Sequence, residues 1–161
     1  MTIDINPAFL QAGTISRGIE LMSEVVRVKS GSKFEELFCF SRLVKVDRWI
    51  YSSNTAGRNY QTREMSPDTA EQANQALDNL AGALAGVDAS LNDTVRFDIS
   101  VASPEDLEIV LGVIADRIRG SDPAHTIHIG AMPHPEMKVE LALVAFIRDQ
   151  ATPDIVKSVT V

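Results

Sequence analysis

Over residues 94–102, Thr-Val-Arg-Phe-Asp-Ile-Ser-Val-Ala, apolar and polar side chains alternate one by one. A period of two belongs to a strand with one buried face. It predicts Val95, Phe97, Ile99 and Val101 inward, and Arg96, Asp98 and Ser100 outward. Upstream, FCFSRLVKVDRWIYSS (38–53) sets two β-prone runs on either side of Asp47-Arg48, the pattern of a hairpin. The following stretch, NTAGRNYQTREM (54–65), is polar and contains Gly57, which predicts a loop on the sheet rim, where functional groups often lie.

After Ser66-Pro67-Asp68 the period becomes helical. Ser66 is expected to accept a bond from a free backbone N–H, Pro67 to take the first helical position, and Asp68 to favour the positive end of the helix dipole. Ala70, Ala73, Leu77, Leu80 and Leu84 then share a face, and Gly86 is the expected stop. So much alanine lets the helix lie close to a sheet. Past a turn and the alternating strand, Ser103-Pro104-Glu105 repeats the capping device. Leu107, Leu111, Ile114 and Ile118 form a second apolar face, closed by Gly120. Residues 124–132 and 137–147 read as two strands joined by the proline-bracketed turn PHPE.

From residue 38 the order is ββαβαββ, which predicts an α+β two-layer sandwich: a mixed sheet with two helices on one face. In the last strand Met137, Val139, Leu141, Leu143, Ala145 and Ile147 share one side, while Ala142, Val144 and Phe146 share the other with Glu140. Both sides are apolar and the helices can cover only one. The second side is therefore expected to be buried against other copies of the chain, a homo-oligomer with room for a ligand at the seam. Residues 1–33 form an N-terminal extension, in which EVVRVKSGS could be an extra strand and NPAFLQAG a short helical turn. The domain proper spans 34–148, and the tail 149–161 is expected to be an exposed arm or edge strand.

A hydrophobic share of 45% with 23% charged residues is ordinary for a folded domain. The net charge of −7 disfavours a nucleic-acid partner, whose phosphates need clustered Lys and Arg. The lone Cys39 cannot form an intrachain disulfide and is expected to be a small buried residue with an inert thiol. MTIDINPAFLQAG lacks the features of a secretory signal, so the expected location is the cytoplasm. The longest apolar run, 139–147, is broken by Glu140 and too short to cross a bilayer as a helix, so no membrane role is expected.

GxGxxG, GKS/T, GxSxG and CxxC are all missing from the sequence, and no cofactor is expected. His125 and His128 are an odd number apart, so on a strand they face opposite ways and cannot share one metal ion within a chain. With His134 in the turn, no metal site is expected. Arg58 and Arg63 in the polar loop could anchor a carboxylate or simply solvate the rim.

Three stretches taken together resemble one family: FSRLVKVDRWIYSSN, EQANQALDNLAGALAGVDASLNDTVRFDISVASPEDL and DPAHTIHIGAMPHPEMKVELALVA. The chain resembles the RidA/YjgF family, the reactive intermediate deaminases also labelled endoribonuclease L-PSP, over about residues 34–148. The resemblance implies a chorismate-mutase-like fold, a homotrimer, and three clefts between neighbouring subunits. Members of the family's best-known branch hydrolyse reactive imines or enamines in such clefts to ammonia and a keto acid without a cofactor, and the resemblance implies related chemistry here. It also implies which residues matter. The family's cleft glutamate, which positions a water, matches Glu140, and a cleft serine matches Ser53, although the glycine after it is Asn54. The arginine that clamps the substrate carboxylate falls at His125 or the adjoining Ala124, the cleft tyrosine matches Phe40, and a cleft asparagine matches Leu111.

Histidine cannot reproduce the bidentate fork of an arginine. A substrate held by an α-carboxylate in the usual way is therefore not expected, and a neutral imine, enamine or carbonyl compound fits better, unless Arg58, Arg63 or a neighbouring subunit's Arg42 replaces the clamp. Glu140, in an apolar strand, should be hydrogen-bonded or carry a raised pKa. No Lys or Arg occurs between Gly120 and Met137, so His125 and His128 are its expected partners along the last hairpin. The expected mechanism has Glu140 polarising a water that adds to an imine carbon, with His125 or the backbone N–H groups near Thr126 and Ile127 steadying the charge. The alternatives are a non-catalytic trimer that binds a small metabolite in the same clefts and, third, an endoribonuclease, which the acidic charge opposes.

Overall fold

The structure, a computed structural model, describes residues 23–149 and 154–160. Among them the chain forms β1 (Val25–Val28), α1 (Lys33–Leu37), β2 (Leu43–Val46), β3 (Trp49–Ser52), β4 (Thr55–Ala56), α2 (Thr69–Ala85), β5 (Thr94–Val101), α3 (Pro104–Ile118), β6 (Ala124–Ile129) and β7 (Val139–Phe146). The ββαβαββ series is present, with β1, α1 and β4 added. β1 is the extra strand expected in EVVRVKSGS, whereas NPAFLQAG lies outside the described residues. Residues 154–160 are exposed and without regular structure.

The β2–β3 turn is tight because Asp47 takes φ 52, a conformation aspartate tolerates, while its carboxylate accepts a 2.9 Å bond from the backbone N–H of Glu24. β1, β2, β3 and β7 run antiparallel in that order. β7 next pairs antiparallel with β5, which pairs in parallel with the edge strand β6. β6 and β7 are therefore not a hairpin, as the short PHPE connection suggested, because β5 lies between them. The crossover from β5 through α3 returns the chain parallel to itself, as βαβ units do, and places β6 on the outside of β5. The chain then passes over the end of β5 to reach the far side.

α2 starts later than expected. Its N-cap is Asp68, whose side chain accepts from the backbone N–H of Glu71 at 2.9 Å, while Ser66 Oγ accepts from the Asp68 N–H in a turn before the helix. Pro104 does take the first position of α3, and Gly120 follows that helix with φ 96. One inward assignment fails on β5: Val95 is exposed and Thr94 is buried, because the pairing register with β7 shifts between Thr94 and Arg96. A shift of one residue turns the side chain over.

Phe97, Ile99 and Val101 of β5 and Leu141 and Leu143 of β7 meet Ala73, Leu77, Leu80 and Leu84 of α2 and Ile114 of α3 in one core. Each large side chain so buried contributes about 1.5–3 kcal/mol. The loop after β3 is fastened to α2. Gln72, fully buried, donates to the carbonyls of Ser66 and Glu136 and accepts from the Lys138 N–H, and Asn79 donates to the carbonyls of Ala56 and Arg58. Gly57 passes so close that an added Cβ would stand 2.2 Å from the Gln72 carbonyl oxygen.

The sheet face away from the helices carries Val25, Val44, Val46, Trp49, Tyr51, Val144 and Phe146 on neighbouring strands. Trp49 packs on Phe146 with ring centroids 4.8 Å apart, yet Trp49 and Tyr51 remain 44% and 49% exposed. Among the described residues no helix is long and apolar enough to cross a membrane.

Candidate functional site

Glu140 lies near the start of β7, on the face away from the helices. Its cross-strand partner on β5 is Ser100, and that of Ser100 on β6 is His128. Directly opposed residues point to the same side of a sheet. Glu140, Ser100 and His128 thus form a row across three strands, with Glu140 and His128 about 10 Å apart by the strand spacing. His125 is opposite Phe97 and so on the helix side, where it meets the Phe97 ring edge-on at 6.2 Å and lines a hollow with Ile118 and Pro123. Within one chain the expected Glu140–His125 pair does not form. The hairpin that would have joined them is absent, and the sheet separates their faces.

The surroundings of Glu140 come instead from the N-terminal half. β4 pairs with β7 so that Ala56 is opposite Glu140, and the adjacent Asn54 side chain and the Arg42 guanidinium both favour the ionised carboxylate. Half-burial outweighs them and holds the Glu140 pKa above the usual carboxylate value of 4.5. Tyr60 belongs to the same group. Burial raises its phenol above 10.0, against the opposing pull of Arg42, and the charge on Glu140 acts in the same direction as burial. Neither Asn54 nor Tyr60 is singled out by sequence spacing. The register that sets β4 beside Glu140 is what reveals them.

Arg42 is not a free clamp. Its guanidinium lies 3.2 Å from Glu35 Oε1 and donates to the Asn54 carbonyl at 2.8 Å and to Thr55 Oγ1 at 3.0 Å, between the rings of Phe40 and Tyr60. Glu35 is 1% exposed and also accepts two bonds from Ser30. Arg58 is likewise engaged, with the Glu136 carboxylate and the Arg63 carbonyl. Arg63, at φ 69, makes no ion pair among the described residues. Ser53 donates to the Ser41 carbonyl at 2.8 Å.

Thr126 is on the face of Glu140, where its hydroxyl accepts from Arg96, while Ile127 points to the helix side. Leu111 packs against the core from α3, so within one chain it does not reach Glu140. Cys39 is exposed at φ 55, contrary to the buried thiol expected. It falls in the turn after α1, where no apolar layer covers it.

The sequence model of a family described as Endoribonuclease L-PSP matches residues 31–147. The chain belongs to the RidA/YjgF (endoribonuclease L-PSP) family. A curated relative, the 2-iminobutanoate/2-iminopropanoate deaminase of Mus musculus, is 30% identical over 108 residues, which are 66% of this chain and 79% of the mouse protein. Among solved RidA/YjgF structures, a family member from Mycobacterium tuberculosis superposes with a TM-score of 0.70 at 27% identity, covering 77% of this chain and all of that one. RidA from an Antarctic Psychrobacter gives 0.63 at 27% identity, covering 67% and 88%. The α+β architecture is thus that of the RidA/YjgF family.

Proposed function

We propose that the chain is a cofactor-independent hydrolase of a reactive imine or enamine, working in clefts between the subunits of a homotrimer with Glu140 as the group that activates water. The observation that carries this reading is the placement of Glu140, half-buried on the outer sheet face opposite Ala56 and beside Asn54, Arg42 and Tyr60, where burial raises its pKa. A carboxylate held above its usual range is a better proton acceptor near neutral pH than a solvated one. Glu140 takes a proton from water as the oxygen bonds to the imine carbon, the C=N electron pair moves to nitrogen, and Glu140 returns the proton there to give the neutral carbinolamine. Collapse of the carbinolamine expels ammonia and leaves a carbonyl.

The mouse relative's name supports imine hydrolysis as the reaction class. The engaged state of Arg42 and Arg58, with His125 or Ala124 where the resemblance places the arginine, supports a substrate without a clamped carboxylate. The exposed aromatic face supports assembly, since a monomer would leave Trp49 and Tyr51 wet. The same loss of polar contacts at Phe40, Leu111 and His125 favours, as a second reading, a trimer that binds a metabolite without turning it over.

Ammonia release from a panel of neutral and carboxylated imines separates the two. Turnover of neutral imines, abolished by Glu140→Gln with the assembly intact, is the expected result. Turnover unchanged in that variant removes Glu140 from the mechanism, and no turnover of any imine leaves the binding reading.

A further inference from the structure

On the helix side, α2, the end of β1, Arg42 and the loop at 59–61 line a half-open hollow of about 430 Å³, within the range of small-molecule sites. We infer that this hollow is a second binding site, which borders the Glu140 crevice and shares Arg42 and Tyr60 with it, for a small uncharged planar molecule that carries hydrogen-bond donors and acceptors on its edge, such as an amide-bearing heterocycle.

The lining argues for that chemistry. Two of its three charges are matched by ion pairs: Arg42 by Glu35, and Asp78 by Arg117 at 2.7 Å. Lys29 turns its ammonium to the main-chain carbonyls of Glu35 and Phe40. The groups left over are carboxamides. Asn59 uses its oxygen on the backbone N–H groups of Gln61 and Thr62, and Gln75 uses its nitrogen on Asn79. The Asn59 amide nitrogen, the Gln75 amide oxygen and the whole Gln61 side chain make no hydrogen bond among the described residues. Carboxamides read the edge of a planar heterocycle through paired donor and acceptor, and Tyr60 supplies an aromatic wall.

Gly82 gives an independent sign. It lies inside α2, where glycine is unfavourable, and a Cβ there would meet no atom within 4 Å. Nothing in the chain's own packing requires the glycine; it widens the cavity that it lines.

The test is titration of the full-length protein with uracil and with nicotinamide, followed by backbone amide NMR. Saturable shifts at Gln61, Gln75 and Gly82 are expected. Gln61→Ala should weaken binding about fivefold, the worth of one hydrogen bond. Gly82→Leu, which fills the space, should abolish binding while the protein remains folded by circular dichroism. Glu140→Gln should leave it unchanged. The inference is overturned if neither probe binds saturably, if binding survives Gly82→Leu, or if Glu140→Gln abolishes it, since the probe would then occupy the Glu140 crevice.

Discussion

At the scale of the residue, Glu140 and Arg42 divide the electrostatics of the site between them. Burial raises the pKa of Glu140 above 4.5, so a reaction that needs its ionised form should lose rate as pH falls through a value higher than that of a free carboxylate. The acid limb of the pH–rate profile measures it. The stability effect has the opposite sense. Between 4.5 and the raised value the folded chain binds more protons than the unfolded one, so this group makes stability fall as pH rises through that window. Urea midpoints of the wild type and Glu140→Gln should therefore diverge above pH 4.5, with the variant the more stable.

Glu35 and Arg42 are a different case, a buried pair whose rupture leaves a charge unmatched. Glu35→Gln should cost about 3 kcal/mol in urea unfolding. Joint replacement by Glu35→Leu and Arg42→Met should recover part of that loss, because no isolated charge then remains.

At the scale of the element, two glycines lead to opposite expectations. At Gly57 a methyl group would press into the backbone of α2, so Gly57→Ala should destabilise by about 1–3 kcal/mol. At Gly82 a methyl group meets nothing, and Gly82→Ala should stabilise by about 0.5–1 kcal/mol through helix propensity alone. Thermal melts of both variants check the pair.

Elements are also where reading the sequence reaches its limit. β5, α2, α3 and the β2–β3 hairpin are legible because their periods are local properties of the chain. That β7 lies between β3 and β5, rather than beside β6, is not, since a short proline-rich connection can close a hairpin or pass over a strand. The site inherits that ambiguity. Parity alone sets His125 and His128 on opposite faces, but only the register through Ser100 shows that His128 is the one sharing a face with Glu140. The partners of Arg42 were hidden for another reason. Glu35 lies in α1, a five-residue helix too short to leave a periodic signal.

At the scale of the whole molecule, the proposed assembly rests on the apolar part of the outer sheet face, where Trp49 and Tyr51 remain exposed in one chain. Sedimentation should give three chains of 17.5 kDa each. Tyr51→Asp, which places a charge in the middle of the apolar face, should shift the mass towards one chain and abolish turnover, although Glu140 is untouched. A variant that dissociates yet keeps full activity would separate the chemistry from the assembly.

Arg42 also acts as a strut between α1 and the start of β4. One end is anchored in α1, ahead of the first hairpin, and the other holds the Asn54 carbonyl beside the acid. Shortening the polypeptide from its amino end should therefore not wear the protein down gradually. Cuts that stop before Val25 leave β1 and the anchor in place, whereas a cut beyond residue 35 removes both and should silence an acid more than a hundred positions downstream.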